Sequence, residues 1–242
     1  MAKAEWQRHC GVNAVAAVFA KRPDAVQRLF YTDAAKMQVG AWCRALAAAK
    51  KPYRMLPPEE VAKAAGTVHH GGVVAIAGAL PIRGFDAAAM QGPAPVVVLD
   101  GVGNPQNLGA IARTAAFLGV RHLVLSGDPR QAWPSDAAIR VAEGALEFLA
   151  LWRADDLPAA LFALSENFTT LASALSETGI APGNVPRDRP VAIVLGNEEA
   201  GLSSASIAAC THVVTIPGSG LVQSLNVGAA AAILIENFRP LA

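Results

Sequence analysis

No apolar stretch in these 242 residues is long enough to cross a bilayer. The longest, from Gly71 to Leu80 and from Val227 to Ile235, fall well short of the roughly 20 residues that a spanning helix needs. The N-terminus mixes Lys3, Glu5, Arg8 and His9 without an apolar run, so no secretory leader is expected. Cysteine is scarce too. Cys10, Cys43 and Cys210 lie far apart and form no C-x-x-C pair, which points to reduced, partly buried thiols in a cytoplasmic protein. No His, Cys and Asp grouping has the spacing of a metal site, and His69-His70 reads as part of a strand region.

Neither charge sign dominates the whole chain, with 20 Lys/Arg against 19 Asp/Glu. The balance is uneven along it. Residues 1–85 hold 12 Lys/Arg and 5 Asp/Glu, a net of +7, and residues 86–242 hold 8 and 14, a net of −6. An ordinary solvated helical surface also carries lysine and arginine, but so strong an asymmetry suggests that the first third meets a polyanion.

Short strand and helix signals alternate in that first third. Helical character is expected over Asn13 to Phe19 and Val39 to Lys50, with strands at Val26 to Tyr31, Tyr53 to Leu56 and Val73 to Ala77. Pro57-Pro58-Glu59-Glu60 starts another helix, since proline is tolerated and acids are favoured in a first turn. The segment Arg83 to Pro95 reads as a linker. The division expected is a first domain over 1–85, a linker over 86–95 and a second domain over 96–242.

The second part opens on Pro95-Val-Val-Val-Leu99, a continuous apolar run typical of a parallel strand covered on both faces. A turn over Asp100 to Asn107 and a helix over Leu108 to Leu118 should follow. Further strands are expected at His122 to Ser126, Val191 to Leu195 and Val213 to Ile216. Helices are expected at Ala137 to Phe148 and from about Gln223 to Phe238. The pattern is α/β, with a mostly parallel sheet.

Three polar clusters sit just beyond apolar strands, where open parallel sheets bind ligands. The first is Asn107-Leu-Gly109-Ala-Ile-Ala-Arg113, near a helix N-terminus that attracts anionic oxygens. Taken alone, Arg113 reads as an arginine that snorkels to water or pairs with a carboxylate. The second is Leu195-Gly196-Asn-Glu198-Glu-Ala-Gly201-Leu-Ser203, whose acids would also suit the first turn of a short helix. The third is Ile216-Pro-Gly-Ser-Gly220-Leu-Val-Gln-Ser224-Leu225-Asn226. Its Gly218-Ser-Gly220 lacks the third glycine and downstream acid of a dinucleotide fingerprint, which excludes a nicotinamide site.

Taken together and in this order, the clusters resemble the SpoU/TrmH family of RNA 2′-O-ribose methyltransferases, in the SPOUT superfamily. The family's N-x-G-x-x-x-R falls on Asn107, Gly109 and Arg113, and its G-x-E-x-x-G-L-S on Gly196, Glu198, Gly201, Leu202 and Ser203. Its I-P-M-x-G-x-x-x-S-L-N-V-S falls on Ile216, Pro217, Gly220, Ser224, Leu225, Asn226 and Val227, with Gly218 in place of the methionine and Gly228 in place of the last serine. The first third, with Gly11 to Val15 and Val68 to Ala75, is similar to the family's ribosomal-protein-like α/β substrate-binding domain.

The resemblance implies a SPOUT domain with a deep trefoil knot and S-adenosylmethionine as methyl donor. It assigns the adenine to backbone groups at Leu195, Gly196, Ile216 and Leu225, with Ser224 and Asn226 beside them. It implies catalytic roles for Arg113, Asn107, Glu198, Ser224 and Asn226, and no metal. It also implies a cytoplasmic homodimer acting on structured RNA. Ribosomal RNA is expected first, with transfer RNA or a non-catalytic RNA-binding assembly role as alternatives. A methyltransferase for proteins or small molecules would have no evident use for the basic domain.

Overall fold

The computed structural model describes residues 6–240. Lys3 and Glu5, on which the expectation of no leader partly rested, lie outside them. Among the described residues no helix is long and apolar enough to cross a membrane. The chain divides into two compact units, one of residues 1–80 and 134–148, the other of residues 81–133 and 149–242.

The first unit runs β1 (Trp6–Cys10), α1 (Val12–Lys21), β2 (Val26–Tyr31), α2 (Lys36–Ala48), β3 (Tyr53–Met55), α3 (Pro58–Ala65) and β4 (Val73–Gly78). Its sheet has the order β1-β4-β2-β3, with β4 antiparallel to both neighbours and β2 parallel to β3. Val15, Val18, Leu29, Val39, Val73 and Ala75 form the core on one face. The helix α3 starts on Pro58 with Glu59 and Glu60 in its first turn and stops at Gly66, whose φ of 67° suits a left-handed cap.

Strand β1 was not expected. Its inward residues are Gln7 and His9, polar positions that carry no apolar alternation. Gln7 is held because its amide donates to the Pro134 carbonyl at 2.7 Å and accepts from the Leu80 N–H at 2.8 Å.

The second unit begins with β5 (Ile82–Gly84), β6 (Val96–Asp100), α4 (Pro105–Phe117) and β7 (His122–Ser126). Next comes α5 (Asp136–Ala142), which packs in the first unit. The second unit resumes with β8 (Ala150–Ala154), α6 (Leu157–Ser165), β9 (Thr169–Ser173) and β10 (Val191–Gly196), and ends with α7 (Ser204–Ala208), β11 (His212–Val214) and α8 (Val227–Phe238). The seven strands have the order β11-β9-β10-β6-β7-β8-β5, and every pairing is parallel. Burial explains the composition: Val96, Val97, Val98, Leu99, Ala192, Ile193, Val194 and Leu195 are all buried, as expected of strands covered on both faces.

Several boundaries differ from the sequence reading, and four of them bear on the packing and the site. The segment Ile82–Gly84, expected at the end of the first domain, pairs with β8 as an edge strand of the second unit's sheet. The helix expected to run to Phe148 ends at Ala142, because Glu143 (φ 46°) and Gly144 (φ 91°) turn left-handed. A Cβ on Gly144 would lie 2.6 Å from the Ala17 Cβ, so α1 approaches too closely for any side chain there. Helix α4 starts earlier than expected, on Pro105 with Asn104 as its cap. The last helix starts later, at Val227, capped by the Asn226 side chain, which accepts from the Gly228 N–H at 2.8 Å.

The segment 134–148, expected in the second domain, belongs to the first unit. Charge and packing hold it there. The Asp136 carboxylate accepts from the Arg8 backbone N–H at 2.9 Å and from its guanidinium at 2.7 Å. Glu147 accepts two 2.7 Å bonds from the Arg22 guanidinium, a bidentate geometry suited to a buried carboxylate.

Candidate active site

The parallel strands β6 and β10 are neighbours and end level, with Gly196 paired to Asp100. Each is followed by a loop rich in small polar residues. The loop after β6 runs into the N-terminus of α4, where Asn104 caps the helix by accepting from the Gln106 N–H at 2.8 Å. The loop after β10 folds back on itself: the Asn197 N–H donates to the Gly201 carbonyl at 3.0 Å, and the Gly201 N–H to the Asn197 carbonyl at 2.9 Å. Gly196 is required by this fold. A Cβ there would sit 2.5 Å from the backbone of Gly201 and Leu202.

The turn is secured by Asn197, whose amide donates to the Gly101 carbonyl at 2.8 Å and accepts from the N–H groups of Glu199 and Ala200. It aims Glu198 at the β6 loop. One carboxylate oxygen accepts from the Gly103 N–H at 3.1 Å. The other accepts from the Asn104 N–H at 3.2 Å and the Asn107 side-chain amide at 2.7 Å. Partial burial opposes ionisation of Glu198, but the bonds from Asn107 and from backbone N–H groups outweigh it and hold the carboxyl below its ordinary range.

Asn107 carries the connection onward. Its carbonyl oxygen accepts from the Asn226 amide at 3.1 Å, and Asn226 in turn caps α8. One hydrogen-bonded chain therefore ties the loop after β10, the first turn of α4 and the first turn of α8. Helices α4 and α8 also approach closely beside it, since a Cβ on Gly228 would lie 3.6 Å from the Ala110 Cβ.

The structure thus brings Asn107, Glu198 and Asn226 together. Leu195 and Gly196 end β10 directly before them, with Leu195 buried. Arg113 lies further along α4 at an exposed position. Ile216, Ser224 and Leu225 lie in the irregular segment between β11 and α8, where Ser224 is exposed and makes no hydrogen bond among the described residues. Among the described residues no group of His, Cys, Asp or Glu could hold a metal ion.

Sequence reasoning missed Gly103, Asn104 and Asn197. The first two act on Glu198 through backbone N–H groups, which leave no side-chain signature. Asn104-Pro105 is a legible helix start, cap followed by proline, and would have placed Asn107 inside the helix's first turn rather than at the mouth of a loop.

Comparisons with known proteins place the whole chain among related sequences and folds. A family model described as the SpoU rRNA methylase family matches residues 94–236, and one described as RNA 2′-O ribose methyltransferase substrate binding matches residues 10–82. The chain is 30% identical over 244 residues to an uncharacterized tRNA/rRNA methyltransferase of Haemophilus influenzae, covering 98% of this chain and 67% of that protein. It is 30% identical to the 23S rRNA (guanosine-2′-O-)-methyltransferase RlmB of Nitrosomonas europaea, over 95% of this chain and 90% of that one. Its fold matches that of an AdoMet-bound rRNA methyltransferase from Sinorhizobium meliloti with a TM-score of 0.80, at 22% identity, over 97% of this chain and 87% of the other.

Proposed function

The chain belongs to the SpoU rRNA methylase family, and from that membership we propose that it is an S-adenosylmethionine-dependent RNA 2′-O-ribose methyltransferase acting on ribosomal RNA. The observation that carries the reading is the chain of bonds from Glu198 through Asn107 to Asn226 at the level ends of β6 and β10. A site kept only for binding has no need of a carboxylate locked onto the N-terminus of the helix that carries Arg113.

The residues present fit an adenosyl group. Strand β10 ends on backbone at Leu195 and Gly196. The segment before α8 exposes Leu221, Val222 and Leu225 at 89%, 74% and 48%, apolar surface that a flat heterocycle would cover. In this reading Leu195, Gly196, Ile216, Ser224, Leu225 and Asn226 hold the donor, whose sulfonium supplies an electrophilic methyl group. The trefoil knot belongs to the same reading, as does a homodimer supported by the exposed Phe117 of α4 and Ile233 of α8. It places the protein in the cytoplasm with its RNA.

Methyl transfer to a ribose hydroxyl needs the oxygen in line with the carbon and its departing sulfur, and a home for the charge that builds on that oxygen. A guanidinium stays protonated at any physiological pH, so Arg113 acts by attracting the ribose oxygen and a neighbouring phosphate, and the hydroxyl proton passes to solvent water as the oxygen takes the methyl group. Glu198 fixes the first turn of α4, the helix that carries Arg113. Asn107 and Asn226 fix that turn against α8.

The test supplies the purified protein with labelled methyl donor and ribosomal RNA lacking modifications. Label on ribose 2′-oxygens of one site is the expected outcome. Label on transfer RNA alone would move the substrate, and label on bases, or on no RNA, would sink the reading.

A further inference from the structure

The sheet of the first unit has two unlike faces. One is closed by α1 and α2 over Val15, Val18, Leu29 and Val73. On the other, α3 covers the end that carries Cys10, Val74 and Phe30, through Val61 and Ala65. Past the helix the sheet lies open. There Arg8, Ile76 and Arg28 form one cross-strand row, and Trp6, two residues before Arg8, shares their face.

A cleft of about 770 Å³ occupies this open end. It is lined by five cations, Arg8, Arg28, Lys50, Lys51 and Lys63, with Trp6 and Phe30, and by no carboxylate. Three of the cations already have partners. Arg8 pairs with Asp136 at 2.7 Å, Lys63 with Glu60 at 2.6 Å, and the Lys51 ammonium caps the carbonyls of Asp24 and Val26, each at 2.7 Å. Arg28 and Lys50 are exposed and have no ion pair among the described residues. Trp6 is 46% exposed, and its cross-strand partner is Gly78, which brings no side chain over the indole.

We propose that this cleft binds an unpaired stretch of the RNA substrate, with one base stacked on Trp6 and the adjoining phosphates against Arg28 and Lys50. The proposal rests on the reading of the protein as an RNA-modifying enzyme and adds where and in what form the RNA is held. Positive charge alone would suit any polyanion. The bare indole selects among them, because an unpaired nucleotide offers a free π-face, whereas a duplex keeps its bases stacked on one another. An acidic peptide segment would neutralise the cations and leave the ring uncovered.

Binding to the full-length protein tests this with three probes: a labelled oligoadenylate of about eight nucleotides, the same length as an RNA duplex, and oligoglutamate. Trp6→Ala should weaken oligoadenylate binding by roughly tenfold, the scale of one lost base stack, and Trp6→Phe should restore most of it. Arg28→Ala, at an exposed position, should lower the salt dependence by about one phosphate contact, and it keeps the test decisive if Trp6→Ala melts early. Oligoadenylate affinity unchanged in both Trp6→Ala and Arg28→Ala would overturn the proposal, as would preference for the duplex or displacement by oligoglutamate. Ribose methylation is assayed separately. Cleft binding without methylation would uphold this site and sink the enzymatic reading, and methylation with unaltered oligoadenylate binding would do the reverse.

Discussion

Glu198 accepts a 2.7 Å hydrogen bond from the side-chain amide of Asn107, a residue 91 positions earlier in the chain. The bond joins the loop after β10 to the first turn of α4. Because the same carboxylate also accepts the N–H groups of Gly103 and Asn104, it serves as an anchor for the helix start as well as a polar group in the site. Glu198→Gln retains the shape but replaces one acceptor oxygen with a donor that faces N–H groups. Methyl transfer should fall by about 100-fold, and stability by about 1 kcal/mol. Single-turnover kinetics and urea denaturation measure the two separately. Full activity would show that the anchor is structural only.

Arg113 is expected to act on the reacting oxygen and not on the donor. Arg113→Ala should lower kcat by roughly 100- to 1,000-fold while calorimetric titration with the donor gives a nearly unchanged Kd. Arg113→Lys should recover little, since a lysine lacks the planar fork that grips a phosphate and an oxygen together. Retained turnover in the alanine variant would remove Arg113 from the chemistry.

Gly196 tests the fold of the loop. A Cβ there would meet the backbone of Gly201 and Leu202 at 2.5 Å, and neither can swing aside as a flexible side chain would. Gly196→Ala should cost about 1–3 kcal/mol of stability and loosen Glu198. Equilibrium unfolding reads the first effect. Donor titration of the folded variant reads the second, as a loss of affinity. Wild-type values for both would contradict the close approach.

His9 predicts a pH dependence of stability. Its ring is buried, with neither nitrogen hydrogen-bonded among the described residues. Burial dominates over the nearby Glu147 carboxylate and lowers its pKa from 6.5 to about 4. The 3.7 Å approach of its Nε2 to Glu147 is therefore a contact of a neutral ring at neutral pH. Between about pH 6.5 and 4 the unfolded chain takes up a proton that the folded one refuses, so stability falls with pH across that window, by up to roughly 3 kcal/mol for this group. Urea midpoints measured from pH 7 to pH 4 should fall less steeply in His9→Gln than in the parent. Parallel curves would show that the ring is charged or exposed.

The sequence made the second unit legible wherever burial is complete. Val96–Asp100 and Val191–Gly196 announce themselves as unbroken apolar runs because helices cover both faces of their sheet. Asn107, Glu198 and Asn226 were legible as polar residues beyond strand ends, and the structure joins them. Strand β1 was hidden because its inward residues are Gln7 and His9, and Gln7 is satisfied by partners 73 and 127 positions away. The early end of α5 was hidden for a related reason. Gly144 reads locally as one more small residue in a helix, and only the approach of Ala17 makes it indispensable.

The return of residues 134–148 to the first unit bears on how the protein can be cut. The polypeptide passes between its two units three times, after Leu80, Trp133 and Phe148. A truncation after residue 85 would strip Arg22 of the carboxylate that holds it and Arg8 of Asp136. The same cut would leave in the remaining chain a helix and a buried glutamate evolved for an absent host. The basic unit is thus a discontinuous one, and dissecting this enzyme calls for point substitutions or a grafted 134–148 segment, not for scissors at a linker.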